Sequence, residues 1–141
     1  MNVDGVNNGI VIDHIQAGKS MDIYQYLRLD KLTCSVAVIQ NVASEKYGKK
    51  DIIKIDEDID INLDVLGYID PNITVNLVKN GELFEKKHLA LPQEVSDIIK
   101  CKNPRCITSI EQEIVHRFRL VDPEKRIYRC VYCDVEHKER G

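Results

Sequence analysis

The stretch ITVNLVKNGELFEKKH, residues 73–88, carries the pattern that decides the fold. Two strand-like runs flank the pair Asn80-Gly81. A two-residue hairpin turn needs positive φ at both central positions, which Asn and Gly tolerate best, so the pattern predicts two antiparallel strands joined by a tight turn. Side-chain alternation sorts the first strand into two faces: Ile73, Val75 and Leu77 on one, Thr74, Asn76 and Val78 on the other.

Working outward, INLDVLGYI (61–69) carries Leu63, Leu66 and Ile69 at helical spacing and is closed by Asp70-Pro71, so a short helix is predicted. Before it, DIIKIDE (51–57) reads as a strand with Ile53 and Ile55 toward a core and Ile52 and Lys54 on the opposite face. SEKYGKK (44–50) reads as a polar turn, and TCSVAVIQNV (33–42) as a strand that buries Cys34 as a small hydrophobe. KSMDIYQYLRL (19–29) has helical spacing with Ser20 as its N-cap, and GIVIDHI (9–15) is a β-branched strand ending at Asp13-His14.

The predicted order is β-α-β-β-α-β with one further strand from the hairpin. That is the order of a ferredoxin-like split βαβ sandwich, an α+β fold with helices on one sheet face and the other face free. Lys54 and Asn76 fall together on the free face. Asn can bond a ribose or a base edge, and Lys can neutralise phosphate. Lys50, Lys86 and Lys87 lie at strand ends close by in this topology.

A proline-containing segment without periodicity, ALPQEV (90–95), marks a boundary. We therefore expect a domain over 1–90, a linker over 91–97 and a second domain over 98–141. In the second, EIVHRFRLV (113–121) and RIYRC (126–130) read as hairpin strands around Asp122-Pro123. They frame the pattern Cys101-x4-Cys106, 23 residues, Cys130-x2-Cys133. Two close cysteine pairs on separate loops suit a tetrahedral zinc ion bound by four thiolates, a set that leaves no open position for catalysis. So few residues bury little core, so metal-binding energy would become folding energy. The expected class is a small all-β zinc-ribbon or rubredoxin-like domain holding one structural Zn2+. His116 and His137 read as strand or surface residues rather than ligands.

Composition narrows the function. The chain has 141 residues, 43% hydrophobic and 30% charged, with net charge -3. Residues 1–90 hold ten Lys/Arg against fourteen Asp/Glu, and residues 91–141 ten against nine. Neither part offers a general field for polyanions, so an anion must be gripped by a few placed lysines. No apolar run nears the ~20 residues that span a bilayer, and MNVDGVNNG (1–9) has no secretory pattern, so a cytoplasmic location and reduced thiols are expected. No Gly-rich phosphate loop, nucleophile elbow or zinc-hydrolase motif occurs.

The runs G-x-V-I-D-H-I (9–15), G-K-K-D-I-I-K-I (48–55), T-V-N (74–76), L-P (91–92), C-x-N-x-x-C-I (101–107) and C-x-Y-C (130–133) together resemble the regulatory chain of aspartate carbamoyltransferase. That family has no catalysis of its own. The resemblance implies an N-terminal allosteric domain that binds CTP and ATP, and in some members UTP. It also implies a zinc domain that docks on the catalytic chain, and a regulatory homodimer giving feedback control of pyrimidine biosynthesis.

By position, Asp13 would contact ribose and His14 the ribose or phosphates. Lys54 would meet base and ribose, Lys86 phosphate, and Asn76 would line the pocket. Val3, Asp4, Gly5 and Val6 would give backbone contacts to the base, with Val78, Gly81 and Leu83 at other base-side positions. Cys101, Cys106, Cys130 and Cys133 match the zinc ligands; Asn103 and Tyr132 match positions near the catalytic-chain interface. Gly81 departs from the family where an aromatic residue can occur, Asp4 and Gly5 alter the N-terminal strip, and Arg105 replaces an Asn. The alternatives are a zinc-ribbon nucleic-acid-binding module and a bridging subunit without nucleotide response.

Overall fold

The computed structural model describes residues 5–46 and 48–137. The chain divides into two compact units, Met1–Ala90 and Leu91–Gly141.

In the first unit the elements are β1 (Gly9–Gln16), α1 (Ser20–Tyr26), a 3-10 turn (Leu29–Lys31), β2 (Val36–Ser44), β3 (Gly48–Ile55), α2 (Leu63–Ile69), β4 (Thr74–Lys79) and β5 (Glu82–His88). The sheet order is β2-β3-β1-β4-β5, with every neighbouring pair antiparallel. This is the ferredoxin-like arrangement, extended by β5 at one edge. The core uses one face of the sheet: Ile10, Ile12, Ile53, Ile55 and Val75 are almost fully buried, as are Ile23 of α1 and Leu66 of α2. Asn80 and Gly81 have φ of 53° and 77°, the tight turn expected from the pair.

A β-bulge interrupts β1. The register moves from Ile12↔Ile53 to Ile15↔Asp51, and His14 has φ 58°. The extra residue returns Ile15 to the core while leaving Asp13 and His14 beside each other at the kink. Sequence reading ends the strand at Ile15; it continues to Gln16. Gly9 is required for packing, since a Cβ there would lie 2.0 Å from the Ile55 carbonyl oxygen.

Several local expectations are corrected. Lys19, not Ser20, occupies the N-cap of α1, and no side chain caps the helix locally. Instead Asp51 of β3 accepts the N–H groups of Gly18 (3.0 Å), Ser20 (3.3 Å) and Asn41 (3.1 Å). The helix stops at Tyr26, because Arg28 is left-handed at φ 55°. Cys34 is half-exposed ahead of β2 rather than buried within it. Strand pairing starts at Val36↔Ile55, with the Ser35 carbonyl accepting the Asp56 N–H (2.9 Å) just before it, so Cys34 lies ahead of the strand. Conversely β3 begins at Gly48, inside the expected turn, because β2 extends far enough to pair with it.

The second unit contains β6 (Glu94–Ser96), α3 (Ile107–Ile110), β7 (Arg117–Asp122), β8 (Ile127–Cys130) and β9 (Glu136–His137), in one antiparallel sheet of order β6-β7-β8-β9. The stretch 91–97, expected as a linker, therefore contains a strand paired to β7, with Val95 buried. β7 starts at Arg117 rather than at residue 113, because the preceding backbone turns to bring His116 N–H onto Asp97 Oδ1 (3.2 Å). The sheet and the cysteine quartet agree with the expected zinc-ribbon class, with one four-residue helix added. The core is small: Val95, Ile99, Phe118 and Tyr128, together with three of the cysteines.

Candidate functional site

Two side-chain constellations stand out, one in each unit. In the first unit, strand register builds a row across the helix-free face. Ala37 pairs with Lys54, Lys54 with Val11, Val11 with Asn76, and Asn76 with Lys86. Directly opposed residues share a face, so Lys54, Asn76 and Lys86 project together. Lys87 opposes Val75 and so belongs to the helix side, which removes it from the expected lysine group.

To one side of the row, toward Val78 along β4, the face is apolar. Val6 packs on Val11 and Val78, with Ile52 against them. The segment carrying Val6 crosses the face as a strap. Asn7 N–H donates to Asp56 Oδ1 (2.9 Å), Gly81 N–H donates to Asn7 O (2.8 Å), and Asn80 N–H donates to Asn8 Oδ1 (3.2 Å). The strap thus ties the end of β3 to the β4–β5 turn. Leu83 lies beside it, opposite Val78, and is half-exposed. Gly5, at φ 88°, is exposed at the start of the strap. Val3 and Asp4 lie outside the described residues.

To the other side of the row, toward Thr74 along β4, the face is charged. Buried Asp13 pairs with Lys50 at 3.0 Å, and its Oδ1 accepts the His14 N–H at 2.6 Å. His14 Nδ1 meets the Thr74 hydroxyl at 2.9 Å. Burial holds the His14 ring below its ordinary pKa; Asp13 opposes this, and Lys50, Lys86 and Lys46 reinforce it. Lys50, Lys86 and Lys46 thus act together on His14 and make this part of the face electropositive. Asn76 lies between the two sides. It is fully buried; its Nδ2 donates to the Val11 carbonyl at 3.1 Å, while its Oδ1 has no partner among the described residues.

In the second unit the four cysteine sulfurs lie within 4.8 Å of one another. Cys101 Sγ and Cys133 Sγ are 3.6 Å apart, and Cys106 Sγ and Cys130 Sγ 3.7 Å. No disulfide joins them. A tetrahedral ion with metal–sulfur bonds of about 2.3 Å sets its ligands about 3.8 Å apart, so this quartet fits a metal.

Burial pushes the Cys101 thiol up to about 12. At Cys106 burial acts in the same direction, but hydrogen bonds from the Thr108 hydroxyl and N–H outweigh it and bring the thiol down to about 7. The hydroxyl contact is 3.1 Å. His116 is not a ligand: its Nδ1 accepts the Cys101 N–H at 3.0 Å, fixing the loop that carries the first ligand. His137 stacks edge-on against Phe118, with centroids 5.9 Å apart.

Tyr132 is exposed, as are Ile107, Ile110, Val115, Val121 and Val135. Asn103 is occupied locally, its Oδ1 accepting Arg105 N–H and its carbonyl accepting the Ser109 hydroxyl.

The sequence alone puts Lys54 and Asn76 on one face and groups the four cysteines, but it gives no role to Thr74, Lys46, Thr108 or His116. For Thr74 the signal was available, because alternation already put it on the face of Asn76. The His116 contact depends on a loop path that no periodicity encodes. No helix among the described residues is long and apolar enough to cross a membrane.

Comparison with known proteins matches both units. Residues 1–90 match the family model described as aspartate carbamoyltransferase regulatory chain, allosteric domain, and residues 93–141 the one described as its metal binding domain. Among similar proteins, the aspartate carbamoyltransferase regulatory chain of Clostridium acetobutylicum is 50% identical over 98% of this chain and 94% of its own length. That of Clostridium tetani is 52% identical, over 98% and 96% respectively. That of Bifidobacterium longum is 46% identical, over 98% and 99%. With both domain models matched in order and the identity spread over nearly the whole length, the chain belongs to the family of aspartate carbamoyltransferase regulatory chains, which are regulatory and not catalytic subunits.

Proposed function

We propose that this chain binds CTP and ATP, and UTP alongside CTP, on the helix-free face of its first unit. It transmits feedback control of pyrimidine biosynthesis to an aspartate carbamoyltransferase catalytic chain. The observation that carries the reading is the row Lys54–Asn76–Lys86, flanked by apolar side chains on the Val6 side and by cations on the His14 side. A nucleotide has the same polarity, a flat base at one end and phosphates at the other.

In this reading Lys86 and His14 face phosphate, Lys54 and Asp13 face the sugar and its junction with the base, and Val3, Asp4, Gly5 and Val6 give backbone contacts to the base, with Val78, Gly81 and Leu83 at other base-side positions. Asp13 acts through a second route as well, by holding Lys50 in place. CTP and ATP compete for one pocket and differ in which arrangement of the assembly they favour, so each shifts the population by its differential affinity.

The metal held by Cys101, Cys106, Cys130 and Cys133 is zinc, which suits an all-thiolate set and supplies a structural cross-link. The exposed apolar residues around it, with Asn103 and Tyr132, form the docking surface for the catalytic chain. The chain works as a regulatory homodimer in the cytoplasm. Nucleic-acid binding by the second unit is disfavoured: Arg117, Arg119 and Arg129 are engaged by Glu94, Asp134 and Glu136.

Calorimetric titration of CTP into the purified chain tests the pocket. Saturable binding is expected, weakened about tenfold or more in Lys86→Ala by loss of a charge-assisted contact. Absence of saturable heat, or a variant indistinguishable from the parent, contradicts the assignment.

A further inference from the structure

We infer that Asn80-Gly81 is a self-modification site, where the Asn80 side chain converts to aspartate or isoaspartate when the strap of residues 5–8 lifts off the helix-free face. The chemistry needs no ligand and stands apart from the nucleotide reading. Asparagine is a thermolabile side chain, because the backbone nitrogen of the following residue can attack its amide carbon. A following glycine has no Cβ to obstruct that approach. Both residues are exposed at the turn between β4 and β5, with φ of 53° and 77°.

The step balances within the turn and one water. The Gly81 nitrogen gives up its proton and bonds to Asn80 Cγ. The Cγ–Nδ2 bond breaks, and ammonia leaves with that proton. Water then opens the resulting cyclic imide. Cleavage of the new bond gives aspartate; cleavage of the original peptide bond gives isoaspartate, whose main chain runs through the former side chain and is longer by one methylene.

The strap holds this step back. Gly81 N–H donates to Asn7 O at 2.8 Å, so the attacking nitrogen cannot release its proton without losing that bond. Asn80 N–H donates to Asn8 Oδ1 at 3.2 Å, which clamps the other residue of the pair. The strap is pinned in turn by Asn7 N–H on Asp56 Oδ1 (2.9 Å) and by buried Val6 against Val11 and Val78. The β4–β5 ladder closes at Lys79↔Glu82, outside Gly81, so withdrawal of Asn7 frees the nitrogen. The rate therefore follows the fraction of time the strap is open, as amide exchange follows local opening. Isoaspartate alters the turn and adds a charge, so each event leaves a lasting mark of that opening.

The test incubates the full chain in mildly alkaline buffer and follows the peptide carrying residue 80 by mass spectrometry, with chromatography to separate aspartate from isoaspartate. The folded parent should convert at least about tenfold more slowly than the same chain unfolded in guanidinium chloride, since bonds and packing must both be released. Val6→Ala, which loosens the strap, should convert several-fold faster than the parent. Circular dichroism checks its fold; if that is lost, Asn8→Ala, which removes only an exposed acceptor, takes its place with a smaller acceleration. Equal rates in folded and unfolded parent, or folded variants no faster than the parent, overturn the inference.

Discussion

The two units reach order by different means. The first has a continuous apolar core in which Ile12, Ile15, Ile23, Ile53, Leu66 and Ile73 are essentially sealed from water. Its helix-free face is therefore built on a scaffold held by apolar packing alone. The second buries few apolar side chains, and its sulfur quartet sits where a larger domain would have more core. A sensing site needs a rigid platform that survives ligand release. A docking domain can instead delegate its fold to one ion, at the cost of depending on it.

That contrast predicts a hierarchy of effects. The largest follows from Cys130→Ser or a strong chelator. Binding of structural zinc is worth on the order of 10 kcal/mol in small zinc domains, enough to decide folding. Amide resonances of residues 94–137 should collapse toward random-coil positions while those of 9–88 hold. Uniform loss across both units would erase the distinction.

Next comes Asp51→Ala, expected to destabilise the first unit alone by roughly 3 kcal/mol, since three N–H donors lose their acceptor. Burial works against the Asp51 charge, but hydrogen bonds from Ser20, Asn41 and Gly18 outweigh it and hold the carboxyl below its ordinary range. A depressed carboxyl contributes fully above its unfolded value, near pH 4, and loses that contribution as pH falls through the folded one. Urea titrations should therefore separate variant from parent at pH 7 and bring them together below pH 4. An unchanged gap at low pH would contradict this.

The smallest effect is expected at Thr108→Val, which removes the hydroxyl contact to Cys106 while keeping the shape. Metal affinity, read by chelator competition, should fall about tenfold. No change would mean that the contact does not tune the site.

How much of this was legible in the sequence differs between the units in the same way. Alternation in 51–57 and 73–79, with Asn80-Gly81, was sufficient for the sheet and for the sharing of one face by Lys54 and Asn76, because strand faces follow from a period of two. Cysteine spacing was sufficient for the metal site, because the chemistry lies in the residues themselves. The bulge at His14 was not legible: nothing local demands positive φ there, and only the need to return Ile15 to the core explains it. The cap of α1 was misread because Asp51 reaches it from 31 residues away. β6 reads as linker because three residues carry no periodicity, and its pairing with β7 is a long-range fact.

The most direct test of the central claim is the aspartate saturation curve of an aspartate carbamoyltransferase catalytic chain reconstituted with this chain, recorded with and without CTP. The account predicts that CTP displaces the curve for the complex with the parent chain, and that Lys86→Ala abolishes the displacement while the complex still forms. Superimposable curves with the parent chain, in a complex verified by sedimentation, would contradict it.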